Sequence, residues 1–123
     1  MVKATIKKNK NKNKYFIDII KKYMVGIDIT SIDRFKNKDE KFANKILSNE
    51  EFLEWSNTEY KALYLAKRWA IKEAIFKSDN QFSIFSNINL EKINNKYRFK
   101  NFEISTSRED DYVIAIALKN KDV

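Results

Sequence analysis

The sequence predicts a single α+β domain in which helices pack on a mainly antiparallel sheet. Three observations support this fold class. A helical periodicity runs from about Glu59 to Ser78, and a series of short apolar segments separated by turn residues follows it. A chain of 123 residues is long enough for one hydrophobic core but too short for two. We therefore expect most helices in the first two thirds of the chain and most strands after them.

Residues 1–23 form a basic, low-complexity segment, which we separate from a domain of residues 24–123. The segment carries eight lysines and one acid, whereas the domain carries seventeen basic and sixteen acidic side chains. The net charge of +8 is therefore mostly a property of this extension. The extension could bind RNA, but an AT-rich coding sequence also explains the many lysines and asparagines without any function.

The first predicted strand, Met24–Ile29, is apolar and contains Gly26 and Asp28. An acid inside an apolar strand is unusual, which makes Asp28 a candidate functional residue. The alternative is that Asp28 lies at the end of the strand and caps the helix that follows.

A basic helix is predicted over Ser31–Leu47, with Thr30 as its N-cap and Asp33 completing a weak capping box. Its apolar residues recur at helical spacing. Its basic side chains include Arg34, Lys36, Lys38, Lys41 and Lys45. Such a run is ordinarily a solvated face, and a docking surface for an acidic partner is the alternative.

Capping residues predict two more helices. Ser48-Asn-Glu-Glu51 is a capping box, which predicts a short helix to about Trp55. Asn57-Thr58 then supplies the cap of the long helix. The remaining chain is predicted to form strands over residues 88–93, 96–100, 102–107 and 112–118. The last strand is apolar on both faces, which predicts a central place in a sheet covered on both sides.

Glu73 is the second candidate functional residue. It shares one strip of the long helix with Leu65, Trp69 and Phe76, so its carboxylate lies among large apolar side chains. Burying a carboxylate is costly unless it is paired or binds a metal. Glutamate followed four residues later by Lys77 also fits an ordinary helical ion pair, and the helix alone does not separate the two interpretations.

The composition excludes several kinds of site. The chain has no cysteine and no histidine, so it has no disulfides, no typical zinc site and no thiol or imidazole catalyst. Any bound metal would be a hard, oxygen-liganded cation such as Mg²⁺. No apolar run approaches the roughly 20 residues that span a membrane, and no secretory signal is visible, so we expect a cytoplasmic protein.

Two motifs in the predicted domain occur at a spacing that is typical of one enzyme family. The first is Gly26-Ile27-Asp28 after an apolar strand, and the second is Trp69-Ala-Ile-Lys-Glu-Ala-Ile-Phe-Lys77. The segments 42–51 and 104–112 accompany them. Together they resemble the AcpS-type phosphopantetheinyl transferases, or holo-[acyl-carrier-protein] synthases, whose second motif W/F-x-x-K-E-A-x-x-K is matched throughout. The resemblance extends from residue 24 to about residue 119.

This resemblance implies a phosphopantetheinyl transferase-like fold and a Mg²⁺-dependent reaction. The 4′-phosphopantetheine group of coenzyme A would move to a serine of apo acyl carrier protein, releasing adenosine 3′,5′-bisphosphate. Asp28 and Glu73 would be catalytic and would bind the metal. Lys77 would be catalytic and would contact the phosphates of coenzyme A. Arg68 and Lys72 would bind its nucleotide phosphates.

The resemblance also implies partners. The basic helix would dock the acidic carrier protein through Arg34, Lys38, Lys41 and Lys45. Family members of this size are homotrimers with active sites between subunits, and we expect neither a nucleic acid nor a membrane as partner. Arg108 stands where many members have histidine, and residues 78–81 replace a glycine-rich segment. The alternatives are therefore an inactive relative and a non-enzymatic RNA- or ribosome-associated α+β domain.

Overall fold

The structure is a computed structural model that describes residues 22–121. Over these residues three helices pack on a five-stranded antiparallel sheet, which confirms the predicted fold class. The helices are α1 (Glu40–Ile46), α2 (Asn49–Asn57) and α3 (Lys61–Ser78), with 3₁₀ helices at Ile32–Phe35 and Phe85–Asn87. The strands are β1 (Tyr23–Ser31), β2 (Glu91–Ile93), β3 (Lys96–Phe99), β4 (Phe102–Glu109) and β5 (Tyr112–Asn120). None of the helices within this range is long and apolar enough to cross a membrane.

The sheet has the strand order β1-β5-β4-β3-β2, so β5 lies between the first strand and the rest. β1 pairs with β5 over its whole length, from Tyr23 opposite Asn120 to Ser31 opposite Tyr112. The three hairpins from β2 to β5 connect neighbouring strands and need only short turns. The long register between β1 and β5 fixes the position of every residue in β1.

Small side chains form much of the layer between α3 and the sheet. Ala66, Ala70 and Ala74 of α3 have no exposed surface, and neither do Ala115 and Ala117 of β5. Because a methyl group adds little thickness, the helix axis can lie close to the strands. The alternation of buried residues along β5 confirms that one face of this strand is directed at the helical layer.

Gly26 is the point of closest approach between β1 and α3. A Cβ atom at this position would lie 1.8 Å from the Ala74 carbonyl oxygen and 2.7 Å from the Ser78 backbone nitrogen. Both are backbone atoms, which cannot move aside as the end of a flexible side chain can. Only glycine therefore permits β1 to lie directly against the last turns of α3.

The prediction of one helix over residues 31–47 is wrong. Thr30 continues β1 and is not a helix cap. A single 3₁₀ turn follows the strand, and Asn37 then has a φ of 58°, which an α-helix does not tolerate. The α-helix begins only after Asp39, whose carboxylate accepts a hydrogen bond from the Phe42 backbone N–H at 2.9 Å. The basic segment is therefore broken into a turn, a loop and a short helix.

The predicted capping box of α2 is confirmed. Ser48 Oγ accepts from the Glu51 backbone N–H, and Glu51 Oε1 accepts from the Ser48 backbone N–H. The cap of α3 was predicted too early in the chain, because the N-cap position is Tyr60 and carries no side-chain cap. Thr58 Oγ1 instead accepts from the Tyr60 backbone N–H at 3.1 Å, within the turn that precedes the helix.

The sheet face that points away from the helices is apolar and exposed. On β1, Val25, Ile27 and Ile29 are 58%, 59% and 61% exposed. They lie opposite large apolar residues of β5 that are also exposed, so the two strands form a continuous surface. We call this surface the outer sheet patch, and its members are Val25, Ile27, Ile29, Ile114, Ile116 and Leu118. The prediction that β5 is covered on both faces therefore does not hold within one chain.

Candidate active site

The two candidate carboxylates, Asp28 and Glu73, lie on facing elements. The even-numbered residues of β1 are the more buried ones, which places Asp28 on the face directed at α3. Glu73 immediately precedes Ala74, whose carbonyl oxygen is the atom that meets Gly26. The close contact of Gly26 with Ala74 therefore brings both carboxylates into one region.

The electrostatics of Glu73 show that charged groups are crowded there. Partial burial raises the pKa of the Glu73 carboxyl above its ordinary value, and the nearby Asp28 carboxylate raises it further. The positive charges of Lys77 and Arg34 act in the opposite direction. Two carboxylates and two cationic side chains thus share a small space, as expected for a site that handles a charged ligand.

Lys77 is the cation that contacts Asp28. Its Nζ donates to Asp28 Oδ1 at 3.0 Å and to the Ile27 carbonyl oxygen at 3.2 Å. The side chain of Lys77 is nevertheless 49% exposed, and its ammonium group has a third donor that can reach a ligand. The ion pair of Lys77 therefore joins α3 to β1 and is not the ordinary pair within the helix.

The carboxylate oxygens of Asp28 and Glu73 fit a hard cation. Asp28 Oδ2 is buried and has no hydrogen-bond partner among the described residues, which is uncommon for a buried acceptor. Mg²⁺ is usually held by one or two carboxylates together with substrate phosphates and water. No cluster of three or more acidic, histidine or cysteine side chains suited to a metal occurs within residues 22–121. The two carboxylates would therefore supply only part of the coordination.

A cavity of about 520 Å³ lies beside Glu73, and we call it the Trp69 cavity. Its walls are mostly apolar and include Trp69, Phe42 and Phe76. Its charged lining residues are Glu73 and Lys45, one of each sign. An apolar cavity with a few polar groups at one end is typical of a site for an organic ligand.

Lys72 does not belong to the surface of this site, contrary to the expectation that it binds nucleotide phosphates. Its side chain has no exposed surface. Nζ donates to Glu51 Oε1 at 2.6 Å, to the Ile46 carbonyl oxygen at 2.7 Å and to the Phe85 carbonyl oxygen at 3.0 Å. A lysine ammonium has three donors, so none is left for a ligand. Lys72 therefore does not have the expected donor with which to bind a nucleotide phosphate.

Arg68 is 5% exposed and lies at a second, smaller cavity of about 360 Å³. Its guanidinium carbon lies 3.7 Å from the ring centroid of Tyr64 and 5.2 Å from that of Tyr97. Nη1 donates to the Tyr97 hydroxyl at 3.3 Å. We call this the Arg68 cavity. It is separate from the carboxylate pair, because Arg68 and Glu73 are five residues apart and lie on different sides of α3.

Two cations of the Arg68 cavity were not predicted from the sequence. Lys67 and Lys92 both line it, and they lie on α3 and β2. Burial lowers the pKa of the Lys67 amine, and the positive charges of Lys92, Arg108 and Arg68 lower it further. Among the described residues, the three cations that line this cavity outnumber its one carboxylate, Glu54, so the cavity favours an anion. Lys92 could not have been found from the sequence, because only the sheet topology brings it to α3.

The four predicted docking cations lie on three different segments. Arg34 is in the first 3₁₀ helix, Lys38 is in the following loop, and Lys41 and Lys45 are on α1. All four are exposed. The guanidinium carbon of Arg34 lies 5.5 Å from the ring centroid of Trp69, and Lys45 lines the Trp69 cavity. Arg34 and Lys45 therefore adjoin the candidate site as well as the surface.

Comparison with known proteins identifies the family of this chain. Residues 24–117 match the family model described as the 4′-phosphopantetheinyl transferase superfamily. The chain belongs to this superfamily. The match includes both sequence motifs, from the glycine and aspartate of β1 to the last lysine of α3.

This transferase is similar to curated relatives named holo-[acyl-carrier-protein] synthase. The relative from Mycoplasma mobile is 54% identical over 99 residues, which cover 80% of this chain and 90% of the relative. The relative from Mycoplasmopsis pulmonis is 49% identical over 96 residues, which cover 78% and 89%. A crystal structure of the Neisseria meningitidis holo-[acyl-carrier-protein] synthase matches with a TM-score of 0.66 at 28% identity, covering 77% of this chain and 95% of that one.

The resemblance inferred from the motifs is thereby confirmed, and so is the assignment of this transferase to the enzymes. The division of the chain at residue 23 stays a prediction, and most of the extension lies outside the described residues. The individual roles of Asp28, Glu73 and Lys77 also stay predictions, which the geometry supports but no comparison assigns.

Proposed function

We propose that this transferase is a holo-[acyl-carrier-protein] synthase that moves the 4′-phosphopantetheine group of coenzyme A to a serine of apo acyl carrier protein. The observation that supports this reaction best is the Asp28–Glu73 pair, with Lys77 beside it and an apolar cavity adjoining it. Phosphoryl transfer requires positioning and neutralisation of charge more than covalent chemistry. The high identity to synthases of this name supports the same activity.

Asp28 and Glu73 would hold Mg²⁺ through their carboxylate oxygens. The unpartnered Asp28 Oδ2 and the raised pKa of Glu73 both indicate a site that a cation would stabilise. When bound, the metal neutralises diphosphate charge and so favours departure of the nucleotide. The two carboxylates would also repel the diphosphate from their own position, which would orient it toward Lys77.

The other cations would bind coenzyme A at two places. Lys77 offers its remaining donor to the diphosphate, because Asp28 holds its ammonium group at the carboxylate pair. Arg68, supported by Lys67 and Lys92, would bind a nucleotide phosphate in the Arg68 cavity. The serine oxygen then forms a bond to the β-phosphorus, and the bond from this phosphorus to the bridging oxygen breaks. The leaving group is adenosine 3′,5′-bisphosphate, and the hydroxyl proton passes to water beside Glu73.

The experiment that tests this function is a transfer assay with the purified protein. Apo acyl carrier protein is incubated with coenzyme A and Mg²⁺, and the mass of the carrier is measured. A gain of one phosphopantetheine group that depends on both coenzyme A and Mg²⁺ supports the proposal. Absence of this mass change under all conditions would contradict it, and would favour an inactive relative. The cytoplasm, where coenzyme A and carrier proteins occur, is the compartment that fits the reaction.

Lys38 and Lys41 offer the clearest test of carrier docking, because they carry exposed charge and neither lines the Trp69 cavity. Replacing both with glutamate should raise KM for the carrier several-fold, since charge complementarity mainly increases the rate of encounter. The effect should shrink at high salt, where charges more than about 8–10 Å apart are screened. Steady-state transfer is measured at two salt concentrations, with carrier and coenzyme A varied separately.

The matched control replaces Arg98 and Lys100 with glutamate. Both are exposed, and they belong to the β3–β4 hairpin and not to the segments that carry Lys38 and Lys41. The control should leave KM for the carrier unchanged. Equal effects of the two double variants would show that net charge alone matters, and the carrier would then dock elsewhere.

The outer sheet patch supports the proposal that the protein is a homotrimer. A continuous exposed apolar surface on a small domain is unusual unless another chain covers it. Replacing Ile116 with glutamate should place charges in the middle of the contact and reduce the mass in solution to that of a monomer. Analytical ultracentrifugation measures this mass. Ile93→Glu is the control, because Ile93 is similarly exposed but lies on β2, outside the patch. Unchanged mass of the Ile116 variant would contradict the assembly.

A further inference from the structure

Glu51 is a fully buried carboxylate that lies between two cationic side chains of α3. Its Oε1 lies 2.6 Å from Lys72 Nζ, and its Oε2 lies 3.6 Å from Arg68 Nε. Backbone N–H groups of Ser48 and Leu90 donate to the two oxygens at 2.9 and 3.2 Å. One anion therefore faces two cations at the centre of the helical layer.

Lys72 connects Glu51 to the Trp69 cavity. Its ammonium group also binds the carbonyl oxygens of Ile46 and Phe85, and both of these residues line that cavity. They belong to the end of α1 and to the second 3₁₀ helix, which are separate in sequence. Lys72 lies on α3 and thus joins this helix to the other two walls of the Trp69 cavity. Glu51 accepts a hydrogen bond from the same ammonium group and holds it in place.

Arg68 connects the same carboxylate to the Arg68 cavity. Its guanidinium group is stacked on Tyr64 and lies near the ring of Tyr97, and its Nε is buried without a hydrogen bond to any described residue. The buried anion in contact with this side chain is Glu51. The exposed Glu54 is more distant, at 4.0 Å from Nη2. Glu51 is therefore the buried countercharge of this guanidinium group.

A buried cluster of one acid and two bases is weak support for stability, because removing charges from water costs about as much as their attraction returns. The cluster is better explained if its buried charges hold the surrounding side chains in a single arrangement. We propose that Glu51 is a positioning residue, which holds Lys72 and Arg68 so that the Trp69 cavity and the Arg68 cavity keep one relative geometry. This inference rests on the proposed function, since it takes the Arg68 cavity as the site of a nucleotide phosphate and the Trp69 cavity as part of the site of transfer.

The test compares Glu51→Gln with Glu50→Gln, which removes an exposed carboxylate from the neighbouring position of α2. We measure kcat, KM for coenzyme A and the inhibition constant of adenosine 3′,5′-bisphosphate, all well below the melting temperature. Glu51→Gln should lower kcat and should raise both KM and the inhibition constant by about tenfold, because small displacements of positioning groups have effects of this order or larger. Glu50→Gln should match the wild type.

Lys72→Met separates the contact of Glu51 with Lys72 from its contact with Arg68. It should lower kcat about as much as Glu51→Gln, yet leave the inhibition constant of the bisphosphate within about twofold of the wild type, because Glu51 still faces Arg68. If Glu51→Gln does not fold, Glu51→Asp replaces it, since this variant keeps the negative charge but draws it back by one methylene group. A lower melting temperature with unchanged kinetic constants would overturn the proposal, because Glu51 would then be merely structural.

Absence of transfer in both the wild type and Glu50→Gln would instead refute the proposed function. Crystal structures of the wild type and Glu51→Gln then decide about the positioning role. Displaced Arg68 and Lys72 side chains in the variant would support it, and unchanged positions would overturn it.

Discussion

Replacing Asp28 with asparagine, or Glu73 with glutamine, is expected to lower kcat of the transfer at least about a thousandfold. A bound metal contributes several kcal/mol of transition-state stabilisation, and each 1.36 kcal/mol corresponds to about a factor of ten in rate. Both substitutions keep the shape of the side chain and remove one charge of the proposed metal-binding pair. The measurement is transfer to apo carrier protein over a range of Mg²⁺ concentrations. Full activity of either variant would contradict the assignment of Asp28 and Glu73 to the metal site.

Folding should not be the cause of this loss. Because burial and the Asp28 carboxylate both raise the pKa of Glu73, Glu73→Gln should leave the metal-free protein as stable as before, or more stable. Asp28→Asn also relieves the repulsion but loses the ion pair with Lys77, so we expect at most a small loss of stability. Thermal unfolding without Mg²⁺ tests this expectation. The control is Asp39→Asn, which changes the exposed N-cap of α1 and leaves the carboxylate pair intact. It should retain transfer activity, because asparagine is also a good N-cap.

Replacing Gly26 with alanine should lower the stability strongly, although it adds only one methyl group. The new Cβ would lie 1.8 Å from the Ala74 carbonyl oxygen, so β1 and α3 must move apart. Overpacking commonly costs about 1–3 kcal/mol, and backbone on both sides puts this position at the upper end or beyond. We expect a melting temperature at least roughly 10 °C lower, measured by circular dichroism.

The same substitution should also reduce transfer in the protein that still folds, because separating β1 from α3 moves Asp28 away from Glu73. Tyr23→Phe is the control on the same strand, since Tyr23 is exposed, points away from α3 and lies outside the outer sheet patch. It should change neither the activity nor the stability of the single chain by much. A Gly26 variant with wild-type stability would show that β1 does not depend on this close approach.

The parts of the fold that sequence predicted well are set by local chemistry. The capping box of Ser48 and Glu51 depends on groups three residues apart, and the long helix depends on its own periodicity. The helix predicted across residues 31–47 failed for a nonlocal reason. Pairing with β5 keeps Thr30 extended, and the left-handed Asn37 interrupts the chain before α1.

The candidate site was predicted only in part, for a similar reason. Asp28 and Glu73 could be named as candidates because acids among apolar residues are unusual wherever they occur. The position of Lys72 could not be predicted, since it shares the signature motif with Glu73 but points into the helical layer. Its burial is explained by Glu51, which is 21 residues earlier and on another helix, together with the carbonyl oxygens of Ile46 and Phe85. The contacts of a buried cation depend on the tertiary fold, and spacing along one helix does not reveal them.

The outer sheet patch has a thermodynamic consequence for the proposed assembly. β1 presents Asp28 on one side and Val25, Ile27 and Ile29 on the other, so one strand would serve both the proposed metal site and the proposed contact between chains. Subunits that bind only the folded form stabilise it by mass action. The free energy of unfolding then depends on the protein concentration. Dilution would loosen the strand that carries Asp28, and each chain would depend on its neighbours for the order of its own proposed metal-binding residue.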